Sequence, residues 1–236
     1  MSTSHGSNAD VVGNGYILSG FLKNASFSGK RDTAETTTFK KGVKTFIPGL
    51  KDTNMTLDGI WDGVVDAIDD ILWKAFAAGK GVFSYIPEGY EVVGRKAWSM
   101  DAISTKFDVN TAIGDVAQIS AELAMGDTGF FTRGLVSHPM ANEAAPGSGT
   151  AINNGAASAF GGALIIHATD VSALLICSLQ DSADGVTYAD LTGTIAVVSA
   201  TRTSARLVYT GIIRQYTRVV WTGTGTFLAI TDRYTA

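Results

Sequence analysis

Hydrophobic residues alternate with polar ones over residues 53–61. Every second position is polar (Asn54, Thr56, Asp58) and the positions between them are apolar or glycine: Met55, Leu57, Gly59 and Trp61. Because successive side chains of a strand point to opposite faces, this alternation predicts an antiparallel strand with one buried face.

The spacing changes to a helical one over residues 62–78. Apolar residues recur there at intervals of three and four: Val64, Val65, Ile68, Ile71, Leu72, Ala75 and Phe76. We expect an amphipathic helix that Asp62 caps at its start and Gly79 ends. Its charged residues match the helix dipole and predict a solvated face: Asp66, Asp69 and Asp70 near the start, and Lys74 further along.

Most of the remaining chain has the short alternating runs of a mainly β protein. Before the small and polar stretch 138–159, strands are predicted at 16–27, 81–86, 90–100, 104–110, 115–124 and 130–137. After it, strands are predicted at 163–169, 174–180, 195–198, 206–211, 216–222 and 227–231. We expect a flexible arm (1–13), a first β domain with the helix (14–140), a linker (141–160) and a second β-sandwich (161–236).

Composition narrows the class of protein. Charged residues make up 17% of the chain and glycine occurs 27 times, which suits many strands and turns and a surface that is partly covered in an assembly. A net charge of −4 gives no basic footprint for holding nucleic acid. The first ten residues lack the pattern of a signal peptide, and no apolar run predicts membrane insertion, so we expect synthesis in a cytoplasm.

No constellation of residues predicts catalysis, a metal or a cofactor. His5, His138 and His167 share no ligand spacing with one another or with Cys177, which lies in an apolar run and reads as a small buried hydrophobe. Asp181, Asp184 and Asp190 lack the spacing of a calcium loop and read as turn formers. We therefore expect a protein that is not an enzyme.

Residues 32–63 carry a resemblance to a known family. A threonine-rich arm leads to the run Ile-Pro-Gly-Leu-Lys-Asp at 47–52, predicted as a tight turn, and the strand then ends in Asp58-Gly59-Ile60-Trp61-Asp62-Gly63. This order of elements resembles the major tail (tail tube) proteins of long-tailed, siphovirus-like bacteriophages. The resemblance covers mainly residues 15–75, and many phage tail proteins also carry an immunoglobulin-like or jelly-roll module such as the one predicted at 161–236.

The resemblance implies a structural protein of the virion tail that assembles with itself. In that family, β-sandwich subunits form hexameric rings that stack into a hollow tube, and their inner strands join as one β-barrel through which double-stranded DNA passes. The predicted loop 28–46 would then hold a neighbouring subunit or ring through Lys30, Arg31, Asp32, Glu35, Thr36, Thr37, Phe39, Lys40 and Lys41. The helix, with Asp66, Asp69, Asp70 and Lys74, would lie between subunits. A tape-measure protein, a tail terminator and distal tail proteins are the further partners that the family implies.

The lining of such a tube should repel phosphate, so acidic or neutral side chains are required there. Asp58, Gln118 and Glu122 lie on polar faces of alternating strands and are the candidates. The alternative is that they simply face solvent.

Two other functions remain open at this stage. One is a head decoration or minor virion protein built from the same β modules. The other is a carbohydrate-binding adhesin that uses Tyr188, Tyr209 or Trp221 as platforms, although the alternation in 216–221 does not collect aromatic residues on one face.

Overall fold

Strands dominate the computed structural model, which describes residues 6–38, 42–197 and 202–234, with the side chains of 195–197 outside that description. The first half of the chain contains β1 (Asp10–Gly13), β2 (Tyr16–Ile17), β3 (Leu22–Glu35), β4 (Phe46–Ile60), α1 (Ile68–Ala78), β5 (Gly81–Ile86), β6 (Lys96–Asn110) and β7 (Gln118–Met125). The second half contains β8 (Phe131–Glu143), β9 (Gly147–Ser148), β10 (Ile152–Asn153), β11 (Gly162–Ser182), β12 (Ala189–Asp190), β13 (Ile195–Val197), β14 (Thr203–Tyr209) and β15 (Tyr216–Arg233). The prediction of a mainly β fold with one packed helix is confirmed for the residues described.

The chain divides into two units, and their boundaries differ from those predicted at 14–140, 141–160 and 161–236. Unit 1 comprises residues 1–20, 81–100 and 132–236, and unit 2 comprises 21–80 and 101–131. The expected arm contributes β1, which pairs with β5. The expected linker contributes β9 and β10, which both pair with β15. Pairing between distant segments therefore overrides the local small and polar composition of these stretches.

Unit 2 is built on the antiparallel sheet β3-β4-β7-β6. One face of this sheet is apolar and buried: Met55, Leu57, Ile119, Ala121 and Leu123. Gly59 lies on the same face, and a Cβ there would come within 2.9 Å of Ile68 Cδ1, so the helix packs closely on the sheet. The alternation predicted over 53–61 is confirmed up to Ile60, but Trp61 lies beyond the strand and is 40% exposed.

The long segment predicted as a loop at 28–46 is largely a β-hairpin. β3 and β4 pair from Leu22↔Gly59 out to Glu35↔Phe46. The predicted turn at 47–52 is wrong, because these residues belong to β4; a register shift between Arg31 and Thr33 accommodates Pro48, which pairs with Thr33. Such an irregularity at an edge strand is where proline is tolerated in a sheet.

Helix α1 begins six residues later than predicted. Its N-cap is Ala67, which makes no side-chain capping bond, and its C-cap is Gly79 with a φ of 74°. Asp62 does not cap the helix; its Oδ1 accepts a hydrogen bond from Val64 N–H. Asp70 Oδ2 accepts a hydrogen bond from the N–H of Asp66, the residue before the N-cap, at 3.1 Å. The predicted end at Gly79 is confirmed.

Unit 1 is dominated by two long strands. β11 and β15 pair from Gly162↔Arg233 to Ser182↔Tyr216, with register shifts between Ala168 and Ile176. Four of the separately predicted strands therefore merge into two. A core cluster forms on these strands, on β14 and on the segment between β14 and β15: Leu164, Ile166, Ala168, Val171, Leu175, Cys177, Leu179, Tyr209, Ile213, Val219, Trp221, Phe227 and Ala229.

A buried polar network crosses the core of unit 1. The His167 side chain has no solvent exposure; its Nε2 lies 2.7 Å from Ser84 Oγ and its Nδ1 lies 2.5 Å from Ser204 Oγ. Ser84 in turn bonds Ser99 at 2.7 Å, and Gly15 N–H donates to Ser204 Oγ at 2.8 Å. The imidazole thus has a partner for each ring nitrogen, as a buried polar group requires.

Candidate assembly surfaces

Exposed apolar side chains are concentrated in unit 2. Of the 21 large hydrophobic residues that are exposed among those described, 14 belong to this unit: Val43, Phe46, Ile47, Leu50, Ile60, Trp61, Val64, Val65, Trp73, Phe76, Ile103, Val109, Ile113 and Val116. Unit 2 holds the smaller part of the chain, so its surface is the more apolar one. Exposed apolar side chains in this number favour an interaction surface on unit 2.

The exposed face of the unit 2 sheet brings the three candidate lining residues together. Thr56 and Glu122 are cross-strand partners, as are Asp58 and Ser120, and Ile60 pairs with Gln118. Because residues opposite each other in a ladder share a face, Asp58, Gln118 and Glu122 all lie on the face opposite the buried one. All three are exposed.

This polar face is negatively charged and internally bonded. Asp58 Oδ2 accepts a hydrogen bond from Asn24 Nδ2 at 3.2 Å. Lys106 lies 2.8 Å from Asp108 and 3.6 Å from Glu122, and its hydrogen bond to Asp108 raises the pKa of the ammonium group. Two carboxylates therefore pair with Lys106, and Asp58 adds a third acidic group to the same face, which leaves that face net negative.

The outer part of the β3–β4 hairpin, residues 28–38 and 42–53, is here called the arm. Only Asn54–Ile60 of β4 pair with β7, so the preceding strand residues pair with β3 alone. At about 3.4 Å per residue, eight such residues extend about 27 Å beyond the sheet. Both faces of the arm's strands are exposed except at Thr53.

The structure places six of the nine predicted contact residues on the arm. Lys30 lies 3.9 Å from Asp32 and Lys44 lies 3.4 Å from Glu35. Near the tip, Thr36 N–H donates to Thr45 O at 2.7 Å, and Thr45 N–H donates to Thr37 Oγ1 at 3.0 Å. Arg31 pairs with Lys51 across the two strands. The other three residues, Phe39, Lys40 and Lys41, lie outside the described residues.

Three of the four predicted helix residues form an ion cluster within the chain. Lys74 lies 3.2 Å from Asp66 and 2.7 Å from Asp70. The hydrogen bond from Lys74, together with that from Asp66 N–H, lowers the pKa of Asp70. Asp69 lies in the first turn of the helix, where a carboxylate suits the dipole. This charge pattern stabilises the helix itself.

Beside this cluster, the helix exposes aromatic side chains. Trp73 is 54% exposed and Phe76 is 40% exposed. Their rings are 5.9 Å apart, and Phe107 completes the cluster at 5.6 Å from Trp73. Exposed aromatic residues on a helix suit a protein interface better than solvent.

The two aromatic residues considered as sugar platforms in the core of unit 1 cannot serve that purpose. Tyr209 is 4% exposed and Trp221 is 6% exposed. Tyr209 Oη accepts a hydrogen bond from Leu179 N–H, and Trp221 Nε1 donates to Ala145 O. Tyr188 lies beneath the Arg218 guanidinium, 3.9 Å from the ring centre. Burial therefore excludes Tyr209 and Trp221 as sugar platforms, and Arg218 covers a ring face of the half-buried Tyr188.

The remaining candidate groups, Cys177, Asp181 and Asp184, are buried or bonded within the fold. Cys177 is fully buried, and burial raises the pKa of its thiol to about 12. Asp181 is held by Arg214 through Nε at 2.8 Å and through its backbone N–H at 2.7 Å. Asp184 organises a turn by accepting from Val186 and Thr187 N–H, and these bonds lower its pKa to about 2. Within the described ranges, no group of three or more His, Cys, Asp or Glu side chains is placed to hold a metal ion.

Across residues 6–38, 42–197 and 202–234, no helix of the chain has the length and apolar character needed to span a membrane.

No family model and no curated protein matches the sequence. Among solved structures, the tail of an empty gene transfer agent particle, refined with C6 symmetry, matches at a TM-score of 0.41 and 14% identity over 48% of this chain and 81% of that one. The SPP1 tail tube matches at a TM-score of 0.46 and 12% identity, over 56% of this chain and 78% of that one. The SPP1 Dit protein matches at a TM-score of 0.35 and 10% identity, over 96% of this chain and 99% of that one. Dit is described as a hub adsorption apparatus of phages that infect Gram-positive bacteria.

Sequence reasoning missed the exposed apolar residues outside the polar stretch. The sequence places Phe46 at the end of the predicted loop, Ile47 and Leu50 in the predicted turn, and Val64 and Val65 on the apolar side of the predicted helix, whereas all five are exposed. The sequence contains one indication of this exposure, because the apolar residues of 64–76 cover a wider stripe than one buried helix face needs.

Proposed function

We propose that this chain is a tail tube protein of a virion and that its copies assemble into stacked hexameric rings. The resulting hollow tube would conduct double-stranded DNA during ejection into a bacterial host. The observation that carries the proposal is the concentration of exposed apolar side chains in unit 2, 14 of the 21 among the described residues. A chain with such a surface is expected to bury it against copies of itself.

Strands at the edges of the unit 2 sheet could pair with strands of neighbouring subunits. β3 pairs only with β4 among the described residues, so one edge of β3 offers a row of unpaired backbone groups. β6 is the last strand on the other side of this four-stranded sheet, but it also pairs with β5 and β8, so only the part of its edge beyond those partners is open to a neighbour. Joining β6 of one copy to β3 of the next would continue the sheet around a ring, and closure of the ring would remove every such edge.

The face that carries Asp58, Gln118 and Glu122 would then line the tube. A negative lining repels the phosphates of DNA, so the duplex gains no binding energy that would hold it there. Lys106 is neutralised by Asp108 and Glu122 at 2.8 and 3.6 Å and would not anchor a phosphate. The opposite face carries the helix, whose exposed Trp73 and Phe76 would pack against a neighbouring subunit.

In this arrangement the arm would reach a subunit of another ring. A tape-measure protein inside the tube, and terminator and distal tail proteins at its ends, are the further partners proposed. A head decoration or minor virion protein is the competing proposal within the same class, since it too would bury an apolar surface against a particle.

Electron microscopy of the purified chain in negative stain tests the proposal. We expect long hollow tubes with an axial repeat, whereas a monomer that persists across protein and salt concentrations would overturn it. A matched variant replaces residues 30–52 with an Asn-Gly turn, which joins the partners Gly29 and Thr53 directly. This variant should stay folded by circular dichroism but form no tubes; tubes like those of the wild type would exclude a role for the arm.

A further inference from the structure

A cavity of about 600 Å³ lies in unit 1 beside the end of β8. Its walls come from β8, from β15 and from residues 144–150, which follow β8 and carry β9. The lining includes the side chains of His138, Glu143 and Trp221. Trp221 holds the 144–150 segment in place, because its Nε1 donates to Ala145 O at 3.0 Å. The volume falls in the range of about 300–1,000 Å³ that small-molecule sites occupy.

The imidazole of His138 is fixed in the wall of this cavity. Its side chain is 5% exposed, stacks on Phe227 with ring centres 4.4 Å apart, and meets the Trp221 ring edge-on at 4.7 Å. Nε2 lies 3.1 Å from Glu143 Oε1, while the buried Nδ1 has no hydrogen-bond partner among the described residues. A proton on Nδ1 would be buried without an acceptor, which is costly. We therefore place the single ring proton on Nε2, from which it is donated to the carboxylate.

This arrangement leaves the negative charge of Glu143 unbalanced. A neutral imidazole donates a hydrogen bond but carries no charge, and no lysine or arginine is found among the described residues that line the cavity. The second carboxylate oxygen, Oε2, accepts no hydrogen bond within the described part of the chain. Because the Glu143 side chain is only 28% exposed, water screens its charge in part. A carboxylate in such a position is best matched by a cation that also donates hydrogen bonds to it.

We propose that this cavity binds a guanidinium or alkylammonium group, carried either by a free amine or by a basic side chain of a peptide. The N–H groups of the cation would donate to Glu143 Oε2, and its apolar body would lie against Pro139 and Pro146 in the cavity wall. An anion would meet the like charge of Glu143 with no basic group to offset it. A neutral sugar would leave that charge unpaired, and the Trp221 ring is too deeply buried to serve as its platform. The inference goes beyond the proposed function, since such a site exists in a single chain.

Calorimetric titration of the full-length chain tests the site with three probes: N-acetyl-arginine amide, putrescine and glucose. The two cations should bind and glucose should not, and Glu143→Gln should weaken the binding of both cations by about tenfold or more. Glutamine keeps the shape of the side chain and can still accept the hydrogen bond from His138, so the fold should be retained, which circular dichroism verifies. Asp170→Asn is the matched control, because it removes one negative charge at an exposed position of unit 1 and should bind the cations as the wild type does.

Each outcome decides for or against the site. Absence of binding by both cations, or equal affinity of the wild type and Glu143→Gln, overturns the proposal. Glucose that binds as tightly as the cations overturns the selectivity for positive charge. Equal weakening by Asp170→Asn would assign the effect to net charge rather than to this cavity and would also overturn it. If the cations bind as expected, a preference for N-acetyl-arginine amide indicates a peptide side chain as the source, and a preference for putrescine indicates a free amine.

Discussion

Acidification should destabilise unit 1 through His167, and a substitution there isolates the effect. Burial lowers the pKa of this imidazole from its ordinary 6.5 to about 3, so the folded chain keeps it neutral. The unfolded chain takes up a proton below its ordinary pKa. The stability that the neutral imidazole provides is therefore fully present above about pH 6.5 and is lost as the pH falls toward the folded pKa.

The loss is about 1.4 kcal/mol for each pH unit in that window, which gives about 2 kcal/mol between pH 7 and pH 5. Asp232 acts in the other direction. Burial raises its pKa to about 6 from 3.8, so protonation between these values favours the folded form, by about 1 kcal/mol over the same interval. The wild-type chain alone would therefore show only the difference of the two contributions.

We would measure urea unfolding at about pH 7 and pH 5 for the wild type and for His167→Gln, at protein concentrations below those of assembly. Glutamine can still hydrogen-bond but does not titrate, so its free energy of unfolding should fall by about 2 kcal/mol less on acidification. Ser84→Ala is the matched control, since it removes one imidazole partner and leaves the titration in place. Equal pH dependence in wild type and His167→Gln would refute the reasoning.

Two further predictions concern packing and backbone conformation in unit 1. Phe227→Ala should cost about 3–5 kcal/mol of unfolding free energy, because its ring is fully buried and stacks 4.4 Å from His138; Phe160→Ala, at a 57% exposed ring, should change it by about 0.5 kcal/mol or less. Gly223→Ala should lower the melting temperature far more than Gly211→Ala. Both glycines have a positive φ, but a Cβ at Gly223 would lie 1.8 Å from Leu174 O, whereas a Cβ at Gly211 would meet no atom within 4 Å. Similar melting temperatures for the two glycine variants, or a stable Phe227→Ala chain, would contradict these assignments.

The parts of the fold that depend on local burial were predictable from the sequence. The faces of β4 and β7 follow the alternation of Met55 and Leu57 and of Ile119, Ala121 and Leu123, because one side of each strand meets a core. The end of α1 was predictable for a similar reason, since Gly79 adopts a left-handed conformation that favours glycine.

The parts that depend on pairing between distant segments were not predictable in the same way. The arm contains no alternation because neither of its faces is buried in a single chain, so residues 28–35 resembled a loop. The Pro-Gly pair at 48–49 predicts a turn locally, but the ladder with β3 holds it in a strand. The division into units depends on β8 and β15 pairing across about ninety residues of sequence, which no spacing indicates.

The three candidate lining residues share one face of the sheet in unit 2. Asp58, Gln118 and Glu122 came from three separate polar positions, and the β4–β7 register places them on one face. The exposure of Val64 and Val65 was not predictable, because they continue the helical spacing of α1 while lying before its first turn. The role of the lining residues in a tube stays a prediction.

The uneven distribution of exposed apolar side chains has a consequence for how the sequence can vary. A substitution at Leu50, Val65 or Ile113 removes no contact that a single folded chain makes, so its melting curve can stay unchanged while selection on the assembled particle rejects it. Unit 1 has fewer such positions, and its tolerance should follow burial in the ordinary way. The substitutions that unit 2 tolerates would then be limited by contacts with neighbouring chains rather than by the stability of the single chain.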